Sequence, residues 1–252
     1  TLTPLAAAVL AALLGWRLLS ASVTVVAALS VLISGAAIGF HIGSGARFSF
    51  GRLLRADALS VTMLIVIGTV GTLATWASIG YINAELAHGH TNRRGANLYG
   101  VLVPIFLAAM ALAVLANNIG VMWAAIEATT VATAFLVGHR RTRAALEATW
   151  KYVVICSVGI ALAFLGTVLL YFASLHAGAS SGNALDIDVL LTHATRLDPA
   201  VTHLAAGLLL LGYGAKAGLV PFHPWPAYPH SSSPPPVSPP RSGSHIHLAL
   251  PP

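Results

Sequence analysis

Apolar residues run through this chain in long, nearly unbroken stretches separated by short polar intervals. A helix rising about 1.5 Å per residue needs roughly 20 such residues to cross about 30 Å of hydrocarbon. Residues 21–40, 57–82, 98–116, 118–138, 149–175 and 203–221 reach or approach that length, and a shorter stretch at 2–14 ends at Trp16 and Arg17. None alternates with the period of two that a barrel strand requires. The pattern therefore predicts an all-α, polytopic transmembrane bundle of about seven helices. The first stretch also has the length of a signal peptide's apolar region, but no basic segment precedes it. Three regions follow: a first pair of helices in residues 1–47, five helices in 48–221, and a tail at 222–252. Eleven of the 14 prolines lie between Pro221 and Pro252. Each removes a backbone donor and clashes with the preceding turn, so the tail is predicted disordered or polyproline-like.

Composition narrows the function classes. Of 252 residues, 13 are Lys or Arg and 7 are Asp or Glu, so 8% are charged, while 57% are hydrophobic and the mean hydropathy is +0.82. That leaves too few polar side chains to cover a water-facing surface, which excludes a soluble enzyme. The net charge of +6 comes from basic residues scattered singly or in short clusters between apolar runs. Such scatter argues for a lipid bilayer as the chain's surroundings and against nucleic acid as a partner. Cys156 is the single cysteine, so this chain alone builds no disulfide, thiolate zinc site or iron–sulfur cluster, and no cofactor is expected in it.

Basic residues also predict orientation. Arg17, Arg93, Arg94, Arg140, Arg141 and Arg143 fall on one side if the spans alternate, in the turn after residue 14 and in loops at 83–97 and 139–148. Arg47, Arg52, Arg55 and Arg196 fall on the other, among Asp57, Asp186, Asp188 and Asp198. Six against four predicts that the first side is cytoplasmic and the N-terminus lies outside.

An ionisable side chain inside the hydrocarbon is costly, so each one is a functional candidate. Glu127 lies nine residues from Asn118, about 13 Å deep along a helix and near the midplane. It reads either as a proton carrier or as a protonated packing group bonded to a neighbour such as Thr130. Lys216 stands in Gly212-Tyr213-Gly214-Ala215-Lys216-Ala217-Gly218, a helix loosened by glycines and ended or broken by Pro221. Interrupted helices free backbone groups that are tolerated only against protein or water. Lys216 reads as the partner of Glu127, or as a lysine snorkelling from a helix end. Lys151 follows Glu147 at the i to i+4 spacing of a surface ion pair, and a relay role stands beside that reading. His139, His203 and His223 flank the same spans and are candidate proton relays or interface histidines. No metal-ligating set and no catalytic triad appears.

These residues carry a resemblance. Asn117-Asn118-Ile119-Gly120-Val121-Met122-Trp123, Glu127-Ala128-Thr129-Thr130 and Leu146-Glu147-Ala148-Thr149-Trp150-Lys151-Tyr152 closely resemble the antiporter-like subunits of the hydrogenase-4 component F type. Such subunits are shared by respiratory complex I, membrane-bound hydrogenases and multisubunit sodium/proton antiporters. Leu54-Arg55-Ala56-Asp57-Ala58-Leu59-Ser60 is similar to the start of that family's third helix, and residues 212–223 look like its broken seventh helix. The likeness covers residues from about 50 to 223 in family order.

The resemblance implies a fold of about fourteen helices built as two inverted five-helix repeats, of which this chain spans the first half. It implies that Glu127 and Lys216 form one half of a proton channel, with Lys151 as the nearby sixth-helix lysine. Electron transfer in other membrane subunits of a hydrogenase or complex I-like assembly would energise it, in a bacterial or archaeal cell membrane. The chain itself would carry no redox site. In the tail, His223, Trp225, His230, Ser231, Val237 and Gly243 stand in register with the family's continuation while most departures are to proline, as in a truncated fragment with a degraded end. A subunit of a sodium/proton antiporter without electron transfer, and a non-functional fragment, are the alternative readings.

Overall fold

The computed structural model describes residues 2–42, 45–89, 91–138 and 143–219. Helices α1 (Thr3–Leu14) and α2 (Leu18–His41) form a hairpin, followed by strands β1 (Arg47–Ser49) and β2 (Leu54–Ala56), which pair antiparallel. Then come α3 (Ala58–Ala87), α4 (Arg93–Leu115), α5 (Ile119–Val137), α6 (Arg143–His176), the short α7 (Ile187–His193) and α8 (Pro199–Ala217). Helices α2 to α6 and α8 contain the six spans long and apolar enough to cross a membrane. Only 22% to 39% of each span is buried inside the bundle. The outward residues are large and apolar, Leu13, Trp150 and Leu210 among them, so the solvent that fits this surface is lipid. The chain is a multi-pass membrane protein.

Local chemistry sets the boundaries. Gly15 ends α1 at φ 67°, a conformation that costs glycine little. The Ser20 hydroxyl then accepts from Arg17 N at 3.0 Å and donates to Gly15 O at 2.7 Å, closing the turn into α2. Asp57 accepts from Ser60 N at 2.9 Å to cap α3, Asn92 from Gly95 N at 2.8 Å to cap α4, and Asp198 from Val201 N at 3.0 Å to cap α8. Each such cap contributes about 1 kcal/mol.

The helices outrun the apolar stretches that announce them. Because α3 continues to Ala87 and α4 starts at Arg93, Arg93 and Arg94 lie in the first turn of a helix, not in a loop over 83–97. Likewise α6 begins at Arg143, inside the predicted loop at 139–148. Its first turns are polar, so a hydropathy pattern misses them. The β-hairpin at 47–56 and α7, which lies between the apolar stretches 149–175 and 203–221, are too short to register in such a pattern. His139, His223 and the proline-rich tail lie outside the described residues.

Small residues allow the closest packing. A Cβ on Gly68 would meet the Leu32 backbone at 2.5 Å, so α2 and α3 approach there backbone to backbone. Ala28, Val31, Leu64, Ile67, Leu107, Ala111 and Leu115 fill the space among α2, α3 and α4. A second cluster of Ile82, Ala96, Tyr99 and Leu136 ties α3 and α4 to α5. The rod α6 packs along both α5 and α8. Against α8 its Gly159 and Gly166 face Ala215 and Gly212 O, and Ala205 O, respectively.

Two ends of the bundle are defined by hydrogen bonds. Trp16 N donates to Asn97 Oδ1 at 2.6 Å and Trp16 Nε1 to Asn83 Oδ1 at 3.1 Å, which sets the α1–α2 turn beside the α3–α4 turn. Arg17, Arg93 and Arg94 thus share an end, as alternation of the spans predicts. At the other end the hairpin, the α4–α5 junction and the stretch before α7 meet.

Candidate functional site

The start of α5 is held by a polar knot. Asn118 caps the helix, its Oδ1 accepting from Gly120 N at 3.0 Å and Val121 N at 3.3 Å, while its Nδ2 donates to Asp186 Oδ1 at 2.7 Å. Asn117 is fully buried; its N donates to Leu53 O at 2.9 Å, its O accepts from Ile187 N at 2.8 Å, and its Nδ2 donates to Asp188 Oδ1 at 2.8 Å. Arg52 from the hairpin completes the knot with an ion pair to Asp188. Two segments distant in sequence, the hairpin and the stretch leading into α7, are thereby clamped onto one helix start.

Burial works to raise the Asp188 pKa, but hydrogen bonds from Asn117 and Arg52 and the Arg52 charge outweigh it, leaving the carboxyl below its ordinary 3.8. A group with a depressed folded-state pKa stabilises the fold fully above its unfolded value, and that contribution is lost as pH falls through the folded value. Thermal unfolding in detergent is therefore expected to show an Asp188-dependent loss only below about pH 4, and Asp188→Asn is expected to remove that step. An unchanged acid limb in the variant would contradict the assignment.

From this anchor α5 carries Glu127 at its middle, on the ninth residue of the helix. Glu127 is half-buried, and its Oε2 is buried with no hydrogen-bond partner among the described residues. Lys216 comes from the last turn of α8, which ends on Gly218 in the left-handed region at φ 75°. Its position follows from helix packing. Gly212 comes so close to α6 that a Cβ there would meet Gly159 O at 2.5 Å and Ala163 N at 2.6 Å. Ala215 packs on Gly159, and Lys216 is turned toward α5 and α6.

Lys216 Nζ donates to Thr130 Oγ1 at 2.5 Å and to Tyr152 Oη at 3.4 Å, and lies 5.9 Å from the Tyr152 ring centre. Thr130, which holds the ammonium, lies three residues beyond Glu127 on the same helix, so Lys216 approaches α5 next to the acid. Glu127 and Lys216 form no ion pair within 4.0 Å. The structure thus brings together the acid and the ammonium singled out in the sequence, with two hydroxyls holding the ammonium. Thr130 is the partner of Lys216, not of Glu127 as one sequence reading had it.

The remaining candidates lie elsewhere. Lys151 donates to Glu147 Oε1 at 2.5 Å on an exposed face of α6, which is the surface-pair geometry its spacing describes. His203 is exposed in the second turn of α8, 13 residues and about 20 Å from Lys216 along the helix. Two residues escaped the sequence reading. Tyr152 is 2% exposed and faces Lys216; its adjacency to Lys151 hid it behind a charged neighbour. Glu85, 5% exposed in α3, is a buried acid, and the loop drawn over 83–97 concealed it.

Comparison with known proteins gives these features a context. Residues 116–239, which hold α5, α6, α8 and both charges, match the family described as NADH:quinone oxidoreductase/Mrp antiporter, TM. The chain is 34% identical over 200 residues to a hydrogenase-4 component F homolog of Methylacidiphilum infernorum, covering 79% of this chain and 42% of that protein. It is 29% identical over 224 residues to NADH-quinone oxidoreductase subunit N of a Paenibacillus species, covering 88% of this chain and 39% of that one. Its fold matches a chain of the membrane-bound sulfane sulfur reductase, an archaeal respiratory membrane complex, with a TM-score of 0.78 at 19% identity, over 94% of this chain and 47% of that chain. The chain spans less than half the length of these relatives. A helical membrane bundle with these motifs in this order belongs to the antiporter-like membrane subunits, the family described as NADH:quinone oxidoreductase/Mrp antiporter.

Proposed function

We propose that the chain is part of a membrane subunit of a hydrogenase-4 or complex I-like oxidoreductase, in which Glu127 and Lys216 carry protons. The observation that supports this reading is an ammonium, 89 positions from the acid in sequence, placed on the helix turn next to Glu127 and held there by hydroxyls rather than locked to the acid. A locked ion pair in low dielectric is a structural element; an unlocked one responds to a neighbouring charge. Moving one charge across 100 mV takes about 2.3 kcal/mol, which the making and breaking of such a pair can supply. The chain's own residues bind, exchange and pass protons. Electron transfer belongs to partner subunits, and the driving charge reaches Lys216 from them.

Glu127→Gln in the full-length assembled complex is the test. Proton uptake per electron transferred is expected to fall by more than about tenfold while electron transfer continues, since the amide keeps the shape and loses the titration. Unchanged uptake would refute the reading. A second reading, a subunit of a sodium/proton antiporter without electron transfer, has support in the matched family, whose description pairs the oxidoreductase with the Mrp antiporter. Proton uptake that follows an imposed sodium gradient in the absence of any electron donor would favour it.

A further inference from the structure

The geometry points to Thr130 and Tyr152 as positioning residues that hold the Lys216 ammonium off Glu127 and give the pair a parted state. The inference rests on the proposed Glu127–Lys216 reading and adds the groups that set when the two charges meet.

Thr130 lies three residues beyond Glu127 on α5, about 4.5 Å along the axis. Residues three apart on a helix are neighbours on its surface, so Thr130 and Glu127 offer Lys216 two adjacent acceptors between which a change of its side-chain torsions would choose. The Thr130 hydrogen goes to Ile126 O at 3.2 Å, which leaves the oxygen lone pairs to accept from Lys216 Nζ at 2.5 Å. Tyr152 is 2% exposed, so its ring is held by packing and its hydroxyl has little freedom to move away from Lys216. The titratable groups facing Lys216 are Glu127 from α5 and Tyr152 and Cys156 from α6.

Hydroxyls differ from a carboxylate in one respect that matters here. A carboxylate only accepts hydrogen bonds, so it holds an ammonium strongly and an amine weakly. A hydroxyl accepts from the ammonium and, once its hydrogen turns toward the nitrogen (for Thr130, away from Ile126 O), donates to the amine, so the cradle can hold Lys216 in either state of protonation. While Lys216 occupies it, Glu127 Oε2 has no partner. Leaving that buried oxygen unpartnered costs more when the carboxyl is charged, which favours the neutral form while the pair is parted. The cradle thus separates two conditions: Lys216 on hydroxyls with Glu127 neutral, and Lys216 on Glu127 with both charged.

The test uses the full-length complex in membranes, with Thr130→Val, Thr130→Ser and Tyr152→Phe compared with the parent. Two readouts are taken: the infrared C=O band of neutral Glu127, identified by its loss in Glu127→Gln, and proton uptake per electron. Valine keeps the branched shape and removes the acceptor. The balance of parted and paired states is expected to shift by roughly tenfold, the strength of one hydrogen bond to a charged group. The Glu127 band and the uptake both fall in Thr130→Val, return in Thr130→Ser, and fall less in Tyr152→Phe, whose bond is longer. An unchanged band and unchanged uptake in Thr130→Val would overturn the cradle. So would a Thr130→Ser variant as defective as valine, since packing of the methyl would then be the cause. Loss of uptake in Glu127→Gln together with a silent Thr130→Val would remove the cradle and leave the proposed function standing. Normal uptake in Glu127→Gln would remove the proposed function itself.

Discussion

Lys216→Met in the assembled complex is expected to abolish proton uptake, by more than about tenfold, while electron transfer through partner subunits persists. Methionine keeps an unbranched stem of similar length, so the space beside Tyr152 and Ala215 stays filled. What disappears is the ammonium. Thr130 Oγ1 and Tyr152 Oη lose the donor they share, and Glu127 loses the positive charge that acts on it. Truncating one member of a buried charged pair leaves the other uncompensated, at a cost of about 3–5 kcal/mol if it stays ionised, so Glu127 remains neutral and ceases to cycle. Lys216→Arg separates charge from proton exchange. A guanidinium keeps the positive charge and does not deprotonate in proteins. Arginine is therefore expected to assemble and still fail in uptake, and an arginine variant with parental uptake would show that only charge is needed at this position.

Gly212→Ala is expected to have the second largest effect, although it adds a single methyl. That methyl would lie 2.5 Å from Gly159 O, 2.6 Å from Ala163 N and 2.7 Å from Ala163 Cβ. Two of these are backbone atoms that cannot rotate away, so α8 must shift off α6. Overpacking of this kind costs about 1–3 kcal/mol. Lys216 lies one turn further along the same helix, so the shift also moves the ammonium relative to Thr130, and uptake falls with stability. Gly207 supplies the control. It lies on the same helix with nothing within 4 Å of its would-be Cβ. Gly207→Ala is expected to leave assembly and uptake at the parental level and to raise helix stability slightly. Thermal unfolding in detergent and the yield of assembled complex check both, and equal behaviour of the two variants would contradict the contact between α6 and α8.

Much of this architecture was legible in the apolar runs, because the bilayer imposes one length on every span and tolerates few backbone forms. Glu127 and Lys216 were legible for the same reason: in hydrocarbon an ionisable group stands out against its surroundings. Tyr152 was not, and Thr130 was read only as a neighbour for Glu127, since a tyrosine or threonine in an apolar helix is ordinary and only tertiary placement gives it a cation to hold. Glu85 was hidden by a boundary error, the helix running past the point where hydropathy fades. The polar knot at the start of α5 joins Arg52, Asn117, Asn118, Asp186 and Asp188, residues whose partners lie more than 60 positions away. No local pattern reports such pairings.

The last turn of α8 has a mechanical consequence. Its ammonium stands two residues from Gly218, the one left-handed joint at that terminus. The seam of Gly159, Gly166 and Gly212 fixes the helix behind it, so the ammonium stands near the end of a firmly seated rod and its reach toward α5 is set by the torsions of its own side chain.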